Sequence, residues 1–308
     1  MKSPRAMIGL VLLLGLLVNS GCSVRRLAVN RVADALTGGG SAFTSDNDPE
    51  LVRDALPFSL KLMESLLAES PNHLGLLTTL GSGFTMYGYA FVQQEAERLE
   101  EDDLERSREL RERAQKLYVR GRDYCLRGLE VRHRGFGAAL AKEPGTAMAR
   151  LEAADMTLLY WASASWAAAI AQAKDDPALV GDLPKVEAML ARALELDEAW
   201  NQGSVHELMI PFSMSRTTGS GDPVEAATRH FERARQLGKG RSAGALVSYA
   251  EAVCVAREDR AGFERLLREA LAVDVNTVPE RRVETLVVQR RAKWLLGRID
   301  KLFLPPLQ

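Results

Sequence analysis

Apolar side chains recur along most of this chain at steps of three and four residues, the spacing that puts them on one face of a helix. Leu51, Ala55, Phe58, Leu62, Leu66 and Leu67 make the first such stripe. Asp46-Asn47-Asp48-Pro49 precedes it and reads as a helix start, with Asp48 as cap and Pro49 in the first turn. Alternating runs of β-branched residues are missing from the sequence, so strands find no support. The pattern predicts an all-α fold.

Several of the expected helices share an internal motif, small-x3-large-x2-small. Ala227, Phe231 and Ala234 carry it, as do Val186, Leu190 and Ala193, and again Phe263, Leu267 and Ala270. The sets Ser59, Met63, Leu66 and Gly121, Cys125, Gly128 are weaker copies. This spacing resembles the second helix of a tetratricopeptide repeat, where small residues let the paired helix approach and the large one fills the gap. The central residues lie 62, 65, 41 and 36 positions apart, so each of the first two intervals has room for two units of about 34 residues. A helix pair of this kind leaves an apolar face that only the next pair covers. The expected architecture is a superhelical stack of helix pairs, with an irregular helical bundle as the alternative.

Two segments depart from the repeat. Fourteen of the nineteen residues from Glu95 to Arg113 are charged, which predicts a solvated helix–helix hairpin with Asp102 or Asp103 near the second helix start. A contact with a partner or another copy is the other reading of that segment. Conversely, the sixteen residues from Met156 to Ala171 carry no charge, so this helix belongs at the centre of the fold.

Upstream, Lys2 and Arg5 precede the uncharged residues 6–18, a run too short to span a bilayer and suited to a secretory signal. Leu17-Val18-Asn19-Ser20-Gly21-Cys22 then resembles a bacterial lipobox, with Asn19 where the pattern usually has leucine. The resemblance implies removal of a signal peptide over 1–21 and lipidation of Cys22. Residues 22–48, including Gly38-Gly39-Gly40-Ser41, then form a lipidated tether, and 49–308 one helical domain. Ser23 after the cysteine resembles lipoproteins passed on to the outer membrane, so the expected location is the periplasm, lipid-anchored, with the outer membrane favoured over the inner. An ordinary cleaved signal with a chance cysteine is the competing reading.

Charge narrows little further. Residues 22–308 hold 38 basic and 41 acidic side chains, and nothing forms the basic stripe that nucleic acid requires. Cys125 and Cys254 each sit in an apolar helical run as small buried hydrophobes, although an oxidising compartment leaves a disulfide open. His206-Glu207 lacks the second histidine of a zinc-protease helix, because Ile210 stands there, and the four histidines have no metal-ligand spacing. Neither a catalytic set nor a cofactor motif is legible, and the chain reads as a non-enzyme.

Aromatic residues are the conspicuous feature. Phe84, Tyr87, Tyr89 and Phe91 crowd one helix beside Gly81, Gly83 and Gly88, while Tyr160, Trp161 and Trp166 occupy the uncharged helix. These seven are the ligand-binding candidates, as the lining of an apolar cavity with a few polar tips. A plain core of aromatics packed on glycines explains the same residues.

Taken in order, several stretches resemble the T-component (TatT) lipoproteins of tripartite ATP-independent periplasmic (TRAP) transporters. They include Ser45-Asp46-Asn47-Asp48-Pro49-Glu50-Leu51, Gly83-Phe84-Thr85-Met86-Tyr87-Gly88-Tyr89, Tyr160-Trp161 with Ser165-Trp166, His230-Phe231-Glu232-Arg233-Ala234 and Gln289-Arg290-Arg291-Ala292-Lys293-Trp294. The resemblance implies a homotrimeric helical lipoprotein that pairs with the periplasmic solute-binding subunit and handles a hydrophobic or organic-acid ligand. Two other functions suit a helical lipoprotein: a tetratricopeptide scaffold for outer-membrane protein assembly, and a stand-alone carrier of hydrophobic ligands.

Overall fold

A computed structural model describes residues 25–38, 41–173, 175–215 and 221–303; the expected signal peptide and Cys22 lie outside them. Helices account for nearly all of it, and no strand occurs among the described residues. We label the principal helices α1 (25–38), α2 (Pro49–Glu69), α3 (Leu74–Tyr87, continued by a π-helical Gly88–Gln93 and by Gln94–Leu99) and α4 (Leu104–Arg132). Then follow α5 (Phe136–Lys142), α6 (Met156–Gln172), α7 (Leu183–Asp197), α8 (Ser204–Ser215) and α9 (Pro223–Gly238). The last three are α10 (Ala243–Tyr249, continued by a π-helical Ala250–Cys254), α11 (Arg260–Leu271) and α12 (Arg282–Leu296). No described helix is long and apolar enough to cross a membrane.

Caps set the boundaries. Asp48 Oδ1 accepts from the backbone N–H groups of Glu50 and Leu51 at 3.0 and 3.2 Å, with Pro49 in the first turn. Asp103 caps α4 through the Arg106 N–H at 2.9 Å, as the charged hairpin predicts. Residues 25–38, within the stretch read as a tether, form a helix whose Ala33 is fully buried against the α2–α3 core.

The repeated motif marks one helix of each pair. It falls on α2, α4, α7, α9 and α11, and in every copy the central residue is buried: Met63, Cys125, Leu190, Phe231 and Phe263's partner Leu267. Their partners are α3, α6, α8, α10 and α12, each packed against a marked helix. The two long intervals hold no additional pairs. Their length goes into the extended α3 and α4, and into α5 with the short turns that precede α6 and α7.

One stripe is corrected. The face of α2 that meets the core is Val52, Leu56, Leu60, Met63 and Leu67, whereas Leu51, Phe58 and Leu62 are 58%, 74% and 42% exposed. As an end helix of the stack, α2 has an apolar arc wider than its neighbours cover.

Glycines set the closest helix crossings. A Cβ on Gly81 of α3 would lie 2.2 Å from Cys125 Sγ on α4, one on Gly83 2.6 Å from Leu60, and one on Gly88 3.0 Å from the Tyr118 ring. These three glycines are therefore points of contact. Behind this crossing, Thr85 Oγ1 meets Ser165 Oγ at 2.5 Å, tying α3 to the uncharged α6. Cys125 and Cys254 are free, buried thiols in separate apolar clusters.

The stack closes on itself. Cations of the last segment reach back to its beginning: Arg282 Nη1 donates to the Ser45 carbonyl at 2.7 Å, Arg290 pairs with Glu50, and Arg291 Nη1 pairs with Glu97 at 2.5 Å. Arg298 and Lys301 both hold Glu101. None of the four apolar clusters spans this seam.

Candidate functional site

Closure gives the unmarked helices an interior to face. Tyr89 enters it from α3, Tyr160 from α6, Glu207 from α8, Glu251 from α10, and Arg281 and Arg291 from the start and middle of the α12 segment. Arg291 is 9% exposed and grips Glu251 through Nε and Nη2 at 2.7 and 2.6 Å while its Nη1 holds Glu97. From Glu97 the hydrogen bonds continue outward: Gln93 Nε2 donates to Glu97 Oε1 at 2.8 Å, and the buried Tyr118 hydroxyl donates to Gln93 Oε1 at 2.5 Å. Arg281 forms a close pair with Glu284, lies 3.9 Å from Glu207, and donates to the Asn201 carbonyl at 3.4 Å.

Burial acts on several groups of this cluster. Tyr89 keeps 37% of its surface accessible, yet burial pushes its hydroxyl up to about 12. Tyr160 is half-buried and burial raises its hydroxyl too, and Glu207, 20% accessible, is raised by the same cause. These groups are thus surrounded by protein while part of their surface stays accessible. The charge of Glu207 raises both tyrosine hydroxyls further. Glu207 Oε2 accepts from Ser242 Oγ at 2.9 Å, and the carboxylate lies flat against Gly244, where a Cβ would come within 1.8 Å of Oε1.

The seven aromatic candidates do not gather at one place. Tyr89 and Tyr160 line the interior, and Tyr160 packs on Trp161 and Trp200 with ring centroids 5.1 and 4.5 Å away. Phe84 is buried, stacked on Tyr124 at 6.0 Å with the Arg120 guanidinium over it. Trp166 is buried in the largest apolar cluster, flanked by Arg122 and Lys185. Tyr87 and Phe91 pack together at 5.6 Å, and Phe91 lines a shallow recess between α2, α3 and α12. The interior is thus more highly charged than an apolar cavity with polar tips: four carboxylates, Glu97, Glu207, Glu251 and Glu284, accompany the two arginines.

Sequence reasoning did not single out these charged residues. Each sits among many others of its kind, and two inner helices carry π turns that shift the helical phase just where Tyr89 and Glu251 face inward. A π turn has no sequence mark. Among the described residues no group of three or more His, Cys, Asp or Glu side chains is placed to hold a metal ion.

A closed stack of helix pairs with a lined interior defines a tetratricopeptide-like scaffold. More specifically, residues 45–303 match the family model described as TRAP transporter T-component, and the chain belongs to that family. It is also 31% identical to an uncharacterized protein of Treponema pallidum (strain Nichols), over 99% of this chain and 100% of the relative. Membership makes it a component associated with TRAP transporters.

Proposed function

We propose that this protein is a non-enzymatic, lipid-anchored periplasmic accessory that docks on the solute-binding subunit of a TRAP transporter and takes a small ligand into its interior. The family match over residues 45–303 carries the reading. The lipobox-like Leu17–Cys22 supports the anchor, with the outer membrane as the favoured site. The exposed apolar arc of Leu51, Phe58 and Leu62 on α2 supports self-association, and the family resemblance implies a homotrimer. Tyr89 and Tyr160 are the ligand contacts we propose first, because they reach the interior; Phe84, Tyr87, Phe91, Trp161 and Trp166 then support its walls or line other space. The ligand, hydrophobic or an organic acid on the family's pattern, has to satisfy the carboxylates and arginines around those two hydroxyls.

The test is capture. Acyl-free protein, immobilised and exposed to periplasmic extract of its own organism, is expected to retain a solute-binding subunit. Repeated recovery of β-barrel assembly factors or cell-wall enzymes in its place overturns the proposal.

A further inference from the structure

The recess on the closing seam has a chemistry of its own. It lies between α2, α3 and α12 and is open to solvent on one side. Glu50, Arg53 and Arg290 form one wall, in which Glu50 is held by both arginines. Arg53 is further engaged by Asp54 at 3.0 Å. Arg98 faces them and is loosely held, 3.5 Å from Glu95 and 3.4 Å from Gln94 Oε1. Phe91, with Ala90 and Val287, supplies the apolar side.

Gln94 forms the floor. It is 2% exposed, and its Nε2 has no hydrogen-bond partner. The Arg98 contact fixes which end of the amide is oxygen, so the unpartnered atom is a donor. A buried donor left unmade carries a desolvation penalty that a ligand acceptor would remove. The lining holds three arginines against two glutamates, so it favours a single negative charge. An amide N–H beside a guanidinium offers two donors to two oxygens, the arrangement that suits a carboxylate.

From the Gln94 amide, the loosely held Arg98 and the apolar wall at Phe91, we infer that this recess binds a monocarboxylate with a short apolar body. The carboxylate sits between Gln94 Nε2 and Arg98, and the body lies along Phe91 and Val287. The site is separate from the interior and stands whether or not the protein docks on a transporter subunit. Because Glu50 on α2 and Arg290 on α12 border it, occupancy would bridge the two ends of the stack.

Titration calorimetry of the purified full chain with benzoate, acetate and inorganic phosphate tests this. Benzoate is expected to bind at one site per chain, with acetate at least tenfold weaker for want of the apolar contact. Gln94→Leu and Arg98→Gln are each expected to weaken benzoate at least tenfold. Gln94→Leu also removes the orphaned donor, so its melting temperature should hold or rise, which separates lost binding from lost folding. Absence of saturable benzoate binding, phosphate binding in preference to benzoate, or benzoate binding unchanged in both variants overturns the inference.

Discussion

Arg291 and Glu97 stand 194 positions apart in the chain and 2.5 Å apart in space, on the last and an early helix of the stack. With Glu251 on the other edge of the guanidinium, one buried cation joins three helices. Removing it strands two carboxylates away from water. Arg291→Ala is therefore expected to lower unfolding stability by about 3–5 kcal/mol in urea titrations. A loss below about 1 kcal/mol would show that the ring does not depend on this contact.

The remaining seam pairs are more exposed, and at 1 M salt the screening length falls to about 3 Å. Raising salt from 0.1 to 1 M is expected to speed hydrogen exchange in the α12 amides while leaving those of α4 and α6 protected. Uniform exchange in both regions would contradict a seam held by charge.

His206 and His230 meet through their Nδ1 atoms at 2.8 Å, a bond that needs at least one unprotonated nitrogen. Burial, reinforced by the neighbouring His206 and by Arg229, depresses His230 from 6.5 to about 4. Burial also lowers His206, against the pull of Glu198, which Arg233 holds near 2. The folded state thus binds fewer protons than the unfolded chain. This contribution is intact above pH 6.5 and is lost as pH falls toward 4. Allowing for the partly exposed ring of His230, thermal melts are expected to reveal a decline of about 1–2 kcal/mol over that window. His230→Gln should flatten it.

Trp166 and the interior tyrosines should behave oppositely. Trp166→Ala opens the main core and is expected to cost about 3–5 kcal/mol. Tyr89→Phe and Tyr160→Phe delete hydroxyls beside the charged cluster of Glu207, Arg281 and Arg291, with expected stability changes within about 1 kcal/mol. Any ligand of the interior should register those two substitutions in its affinity.

Gly81→Ala drives a methyl group into Cys125 Sγ and is expected to cost about 1–3 kcal/mol. Adding Cys125→Ala should recover only part, since the Gly121 carbonyl remains 3.2 Å from the new carbon. An unchanged melting temperature in the single variant would mean that α3 and α4 can separate freely.

What the sequence discloses follows from what each feature depends on. Helix starts at Asp48 and Asp103 are local chemistry and could be read directly. The small-large-small motif is also local, and it found all five marked helices because close packing needs those residue types. The interior could not be read that way. Its members come from five helices, and their meeting depends on π turns and on the last helix returning to the first. The Leu51–Phe58–Leu62 stripe was legible as apolar but not as uncovered, because coverage is a property of neighbours.

Since α12 supplies the arginines that bring the ends together, a chain made from its N-terminus completes a curved open array well before it encloses anything. Loss of the final few dozen residues, by truncation or by a protease, would leave most helix pairs in place while removing the seam. The contacts that join the two ends therefore all wait on the C-terminal segment.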